Sequence, residues 1–227
     1  MSSDTKLFKA GTIFNNFKGD IDTSKIKLSR KRISLNFPTR LGAMPIDETV
    51  LAVNSKHAYP AGEIVISIDN PIKVRTNYLG DNNGVLHLDK NVKNPAVINH
   101  GYRIICKVLN VSPSLSIRID DSKVLRHSGF ASNGATLGAV CSSINELYDN
   151  PIQNKDLIRF LATNYGEQYA TNGDLEVLRE NMCIGGSIAT GLYKDGIQVL
   201  SSDYSLTGSA EYDGNAVRNR VKTTASN

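Results

Sequence analysis

Alternating apolar and polar residues mark three strands in this chain. The run RISLNF at 32–37 alternates as a half-buried strand does, and PTRLGAMPID follows with Pro38, Gly42 and Pro45 as punctuation. The clearest strand lies in GEIVISIDNPIKVR at 62–75. Ile64, Ile66 and Ile68 share one face, Val65, Ser67 and Asp69 the other, and Pro71 breaks the ladder or marks an edge. SLSIRID at 114–120 alternates again, with Leu115, Ile117 and Ile119 inward.

Helical spacing follows. Ile98, Tyr102, Ile105 and Leu109 form one face of a helix over 95–110. After HSGFASNGA, the positions Leu137, Val140, Cys141, Ile144, Leu147 and Tyr148 predict a second helix, which DNPIQNKD ends. Leu157, Ile158, Leu161 and Tyr165 predict a third at 155–167; Leu175, Leu178 and Met182 predict a short fourth at 174–182. The Asn-, Asp- and Gly-rich stretch 78–95 reads as a loop or short hairpin. SIATGLY and IQVLS, joined by Lys194-Asp195-Gly196, read as a hairpin over 187–201. Residues 1–24 read as a loosely structured lead-in and 202–227 as a polar tail. Strands, helix, strand, helices and hairpin in that order predict an α+β domain.

Composition narrows the class. The 227 residues suffice for one large domain or two small ones, and 40% hydrophobic with 21% charged residues is a globular balance. No apolar run approaches the ~18 residues of a membrane span, and the first residues lack the apolar core of a secretory leader. Cys106, Cys141 and Cys183 are odd in number and far apart, so a disulfide framework or zinc ribbon is excluded and a cytoplasmic location expected. The four histidines form no HxxxH pair, which leaves a sequence-local zinc site unsupported. Net charge is +4, and the cluster Lys25, Lys27, Arg30, Lys31, Arg32 reads as a solvated strand edge. Aromatics are not interleaved with it, so neither nucleic acid nor membrane is an expected partner.

The chemistry points to Ser128-Gly129-Phe130-Ala131-Ser132-Asn133-Gly134-Ala135, between a strand and an amphipathic helix. Small residues let a ligand approach the backbone, and the helix start offers free N–H groups and the positive dipole end. Together these suit phosphate oxygens, with the Ser132 hydroxyl on an oxygen or a magnesium ion. A turn capped by Asn133 or Ser132, without a ligand, accounts for the same residues. The glycines have Walker spacing, but Ala135-Thr136 stands where Lys-Ser/Thr belongs; no Gly-x-Gly-x-x-Gly occurs either.

HSGFASNGATLGAVCSSINELY resembles the second motif of GHMP-type small-molecule kinases, a Gly-Leu-Gly-Ser-Ser loop entering a helix. Gly129, Phe130, Ala131, Ser132 and Asn133 take those places. The likeness is closer to the β-ribofuranosylaminobenzene phosphate synthase branch, whose His-x-Gly-Leu-Gly-Ser loop is matched by His127, Gly129 and Ser132. Pro38, Arg40, Ile46 and Asp47 fall in register with that branch's first motif. GEIVISIDNP is similar to the next family strand, and SIATGLYKDGIQV to the family's Gly-Ile-Gly-Thr hairpin. The sequence departs from the family in several places: Ala131 replaces a loop glycine, Gly42 a histidine, and Ala189 stands where the kinases carry an aspartate base.

The resemblance implies a GHMP-type N-terminal domain over 32–201, with a polar lead-in at 1–31 and a polar tail at 202–227 in place of the family's C-terminal domain. Its expected features are a mixed sheet, helices on one face and the Gly-rich loop at a helix N-terminus. It implies a transferase that takes phosphoribosyl pyrophosphate with Mg2+ on residues 129–134 and an aromatic acid as acceptor. Arg40 and His127 would assist the leaving pyrophosphate, and Asp47 would orient the ribose or carry a metal. A small-molecule kinase using ATP is the alternative. A non-catalytic subunit, with the missing half on a second chain, is the third. Without the resemblance, Arg40 and Asp47 read as a surface pair more often than as ligand contacts, and His127 as a residue that fixes its loop.

Overall fold

The computed structural model describes residues 6–46, 61–81, 84–90, 92–122, 132–169, 175–181, 183–194, 196–204 and 210–211, with 43–46, 61–62, 132, 197–204 and 210–211 described by backbone alone. The larger sheet is built on β3 (Ala61–Gly80). One edge of β3 pairs antiparallel with β2 (Arg32–Ile46) along nearly its whole length. The other edge is shared: Lys73 to Gly80 pair with β5 (Ser114–Asp120), and Ala61 to Ile66 pair with β8 (Ile197–Tyr204). β4 (Leu86–Leu88) adds parallel to β5, and β9 (Ala210–Glu211) adds to β8, so the sheet is mixed.

Four helices complete the fold: α1 (Pro95–Leu109), α2 (Ser132–Leu147), α3 (Asn154–Thr163) and α4 (Gly186–Tyr193). The apolar faces expected of the first three are the ones buried. Ile98, Tyr102, Ile105 and Leu109 of α1 are at most 6% exposed, and Leu137, Val140, Cys141, Ile144 and Leu147 of α2 are fully buried. Burial of each such side chain stabilises by about 1.5–3 kcal/mol. Phe37 of β2 lies against Gly138 of α2 and Gly191 of α4, and Thr76 of β3 meets Ser143 of α2. These contacts put α2 and α4 on one face of the sheet.

β3 exchanges its faces part way along. Val65 is buried near its start, but Ile72, Val74 and Thr76 are buried further on, which reverses the odd–even parity. The register against β2 shifts between Phe37 and Thr39, where β3 carries two extra residues around Asn70 and Pro71. Pro71 lacks the N–H that the ladder needs, and the carbonyl of Asn70 is satisfied by the Thr39 hydroxyl at 3.0 Å.

Three readings of the sequence are corrected. The stretch 1–24 contains β1 (Leu7–Lys9), which pairs with β7 (Val177–Glu180) and buries Phe8; a loosely structured lead-in does not describe it. β7 lies where a short helix was expected at 174–182, and β6 (Gly166–Gln168) completes this three-stranded sheet. The expected hairpin at 187–201 is α4 followed by β8, with Lys194 in the left-handed region closing the helix at φ 56°. Asp195 lies outside the described residues.

Candidate functional site

The first turns of α2 and α4 meet at Gly134 and Ser187. A Cβ added to Gly134 would stand 3.1 Å from Ser187 Cβ and 3.3 Å from its Oγ, so glycine is what lets the two helix starts close up. Arg40 of β2 reaches this junction. Its Nε–H donates to Ser187 Oγ at 3.0 Å, and its Nη1 pairs with Glu63 Oε2 at 3.0 Å. The other oxygen of Glu63 accepts the backbone N–H of Gly186 at 2.9 Å, the first residue of α4. A carboxylate thus sits on the positive end of α4 and neutralises a guanidinium at once.

Two more glycines clear space for this network. A Cβ at Gly186 would overlap the Glu63 carboxylate, and one at Gly42 would approach Arg40 Nη1 to 2.7 Å. The side chains of Arg40 and Glu63 are 21% and 13% exposed, a partly desolvated pair in which removing one partner strands the other. Burial raises the pKa of Glu63 above the usual carboxylate value; Arg40 and the Gly186 N–H pull it back. Close by, burial pushes the Cys183 thiol up to about 12, and it holds the Tyr165 phenol well above its ordinary value. Tyr165 donates to Glu167, which is paired with Arg179 at 2.6 Å. Thiol and phenol are therefore neutral at pH 7, and neither is an activated nucleophile.

The structure treats the expected site residues unevenly. Ser132 opens α2, with only its backbone described. Asn133 lies within the first turn and is no N-cap: its Oδ1 accepts Asn94 Nδ2 at 2.7 Å, which ties the start of α1 to the start of α2. Gly134 is buried against α4. Arg40 is in an ion pair, but with Glu63, a residue that no sequence motif marks. Asp47, His127, Gly129, Phe130 and Ala131 lie outside the described residues. Ser187 opens the stretch whose pattern predicts a hairpin, and Gly186 lies just ahead of it with no motif to mark it. Among the described residues, no group of three or more His, Cys, Asp or Glu gathers as a metal site, and no helix is long and apolar enough to cross a membrane.

No protein-family model matches the sequence, and no curated protein matches it. Solved structures do share the fold. Homoserine kinase from Cytophaga hutchinsonii superposes with a TM-score of 0.51 at 15% identity, covering 77% of this chain and 50% of that one. L. major mevalonate kinase in complex with R-mevalonate gives 0.54 at 13% identity, covering 83% and 54%. The Lin0012 protein from Listeria innocua gives 0.50 at 12% identity, covering 75% and 48%. The chain therefore spans about half the length of these proteins. At such identities the likeness is one of fold, and it is the α+β, GHMP-type N-terminal fold that the sequence motifs implied.

Proposed function

We propose that this chain is the donor-binding half of a small-molecule transferase of the kinase type, which holds the polyphosphate of ATP at the N-terminus of α2. The observation that carries this reading is the junction of Gly134 and Ser187. It sets the Arg40 guanidinium beside the first turns of two helices, on a fold shared with homoserine and mevalonate kinases. Backbone N–H groups, hydroxyls and a guanidinium suit phosphate oxygens. Among the described residues, no group of three or more His, Cys, Asp or Glu gathers to hold a cation. Magnesium would arrive on the donor's phosphates and neutralise their charge, with the Ser132 hydroxyl as its candidate protein ligand.

Each residue then has a task. The N–H groups of Ser132, Asn133 and Gly134, with Gly129, Phe130 and Ala131 ahead of them, would line the phosphates. Arg40 adds positive charge. His127 would bond a phosphate oxygen or move a proton, and Asp47 would orient the donor's ribose. Ala189 is buried in α4 and supplies no carboxylate base. Transfer would then rest on positioning and charge stabilisation, which are the main demands of phosphoryl transfer. The acceptor side belongs to the half of the enzyme beyond this domain, on this protein or on a partner chain.

Calorimetric titration with Mg-ATP and, separately, with magnesium phosphoribosyl pyrophosphate tests this reading. Saturable binding of Mg-ATP is expected, and it should be abolished in a folded Gly129→Val variant. Binding of the ribosyl donor alone would replace the kinase with a ribofuranosyl transferase acting on an aromatic acid. Binding of neither, or unchanged binding in Gly129→Val, would overturn the site.

A further inference from the structure

We propose that Glu63 is a positioning residue of the donor site: it fixes the Arg40 guanidinium between the starts of α2 and α4, so that the remaining donors of Arg40 serve an anion on α2. The inference rests on the function proposed above and adds a residue that no motif marks. Two of the five N–H donors of Arg40 are engaged with described partners, one on Glu63 and one on Ser187. The long Arg side chain would otherwise sample many rotamers, and its placement has to be built. Glu63 does so from a fixed base, because its second oxygen is held by the N–H of Gly186.

The space is built as well. Gly186, Gly42 and Gly134 each lack the Cβ that would displace the carboxylate, the guanidinium or the serine. The groups acting on Glu63 are Arg40 from β2 and the Gly186 N–H at the start of α4, and Glu63 in turn acts on the Cys183 thiol. Among these, only Arg40 bears a positive charge.

A double-mutant cycle on donor binding tests the assignment, with Mg-ATP as the probe and thermal melting to confirm folding. Arg40→Ala should weaken binding about tenfold or more. Glu63→Ala should weaken it by a similar factor, and in the Arg40→Ala background it should cost no further affinity. Glu63→Gln keeps the shape and one acceptor, so it serves if Glu63→Ala fails to fold. It should recover part of the affinity and remove the pH dependence that the carboxylate imposes on binding. Additive losses, or unchanged binding in both Glu63 variants, would overturn the proposal while leaving the donor site standing. A wild-type chain that binds no donor would overturn both.

Discussion

The imidazole of His100 and the backbone of Asn164 are joined at 2.7 Å, while the other ring nitrogen, Nδ1, accepts the N–H of Gly11 at 2.9 Å. Because Gly11 can only donate, the ring proton sits on Nε2 and His100 is neutral. This one side chain ties the segment after β1 to the end of α3 through the middle of α1. Phe8 packs edge-on against the ring at 5.4 Å.

Burial lowers the pKa of His100 to about 4; the Asn164 carbonyl works against that, and the charge of Lys107 adds to it. The unfolded chain therefore binds a proton that the folded chain refuses between pH 6.5 and about 4. The stabilisation is fully present above pH 6.5 and is lost as pH falls through that window, by about 2 kcal/mol from pH 7 to 5. Urea unfolding at the two values measures it. His100→Gln keeps one acceptor and one donor but does not titrate, so its loss should be smaller by that amount. Parallel losses in the two proteins would refute the assignment.

Gly191 and Phe37 make a second, purely steric prediction. A Cβ at Gly191 would overlap the Phe37 ring, which is 1% exposed and also bounded by Gly138. Gly191→Ala should destabilise by about 3 kcal/mol, the cost of overpacking a closed core. Adding Phe37→Leu should recover part of it. A melting temperature unchanged in Gly191→Ala would mean that α4 does not sit this close to the sheet.

Ser143 donates its hydroxyl proton to the Val140 carbonyl at 2.8 Å, so in the 2.7 Å pair with Thr76 the threonine is the donor. The two truncations are then unequal. Thr76→Val removes the donor and leaves Ser143 bonded, at about 1 kcal/mol. Ser143→Ala strands a buried hydroxyl on Thr76 and should cost about 2 kcal/mol. Chemical unfolding of both variants checks the order; equal costs would reverse the donor assignment.

What the sequence disclosed depended on how far a signal reaches along the chain. The faces of α1, α2 and α3 were legible because helical spacing is local and each core supplied enough apolar residues to fill one face. The strand parity of β3 was visible, but not the register shift at Asn70 and Pro71, since only pairing against β2 exposes the two extra residues. Leu175, Leu178 and Met182 have helical spacing, so the sequence predicts a helix where β7 lies. Its partner β1 lies about 170 residues earlier, with Phe8 as the side chain that rewards the pairing. Ile188, Thr190 and the Asp195-Gly196 dipeptide carry β signals, so the sequence predicts a strand where α4 lies. What makes it a helix is tertiary: Glu63 on its first N–H and a glycine against Phe37. The site followed the same rule. Arg40 and the start of α2 stood out as motif positions, whereas Glu63 became visible only when β3 met α4.

Arg40 and Gly42 give the last prediction, because they separate the chemistry of the guanidinium from its place. Arg40→Lys keeps the charge but not the planar fork, and one ammonium cannot reproduce both the Ser187 and Glu63 geometries. Donor affinity should fall about tenfold, with only a small change in melting temperature. Gly42→Ala removes no functional group, yet its Cβ would come within 2.7 Å of Arg40 Nη1. The guanidinium is the movable end of a long side chain, so it should shift while the strand stays. A loss of donor affinity in Gly42→Ala, with thermal stability retained, would show that the position of Arg40 matters as well as its charge. If Gly42→Ala and Arg40→Lys both bind Mg-ATP as the wild type does, Arg40 belongs to the scaffold of α4 and not to the donor.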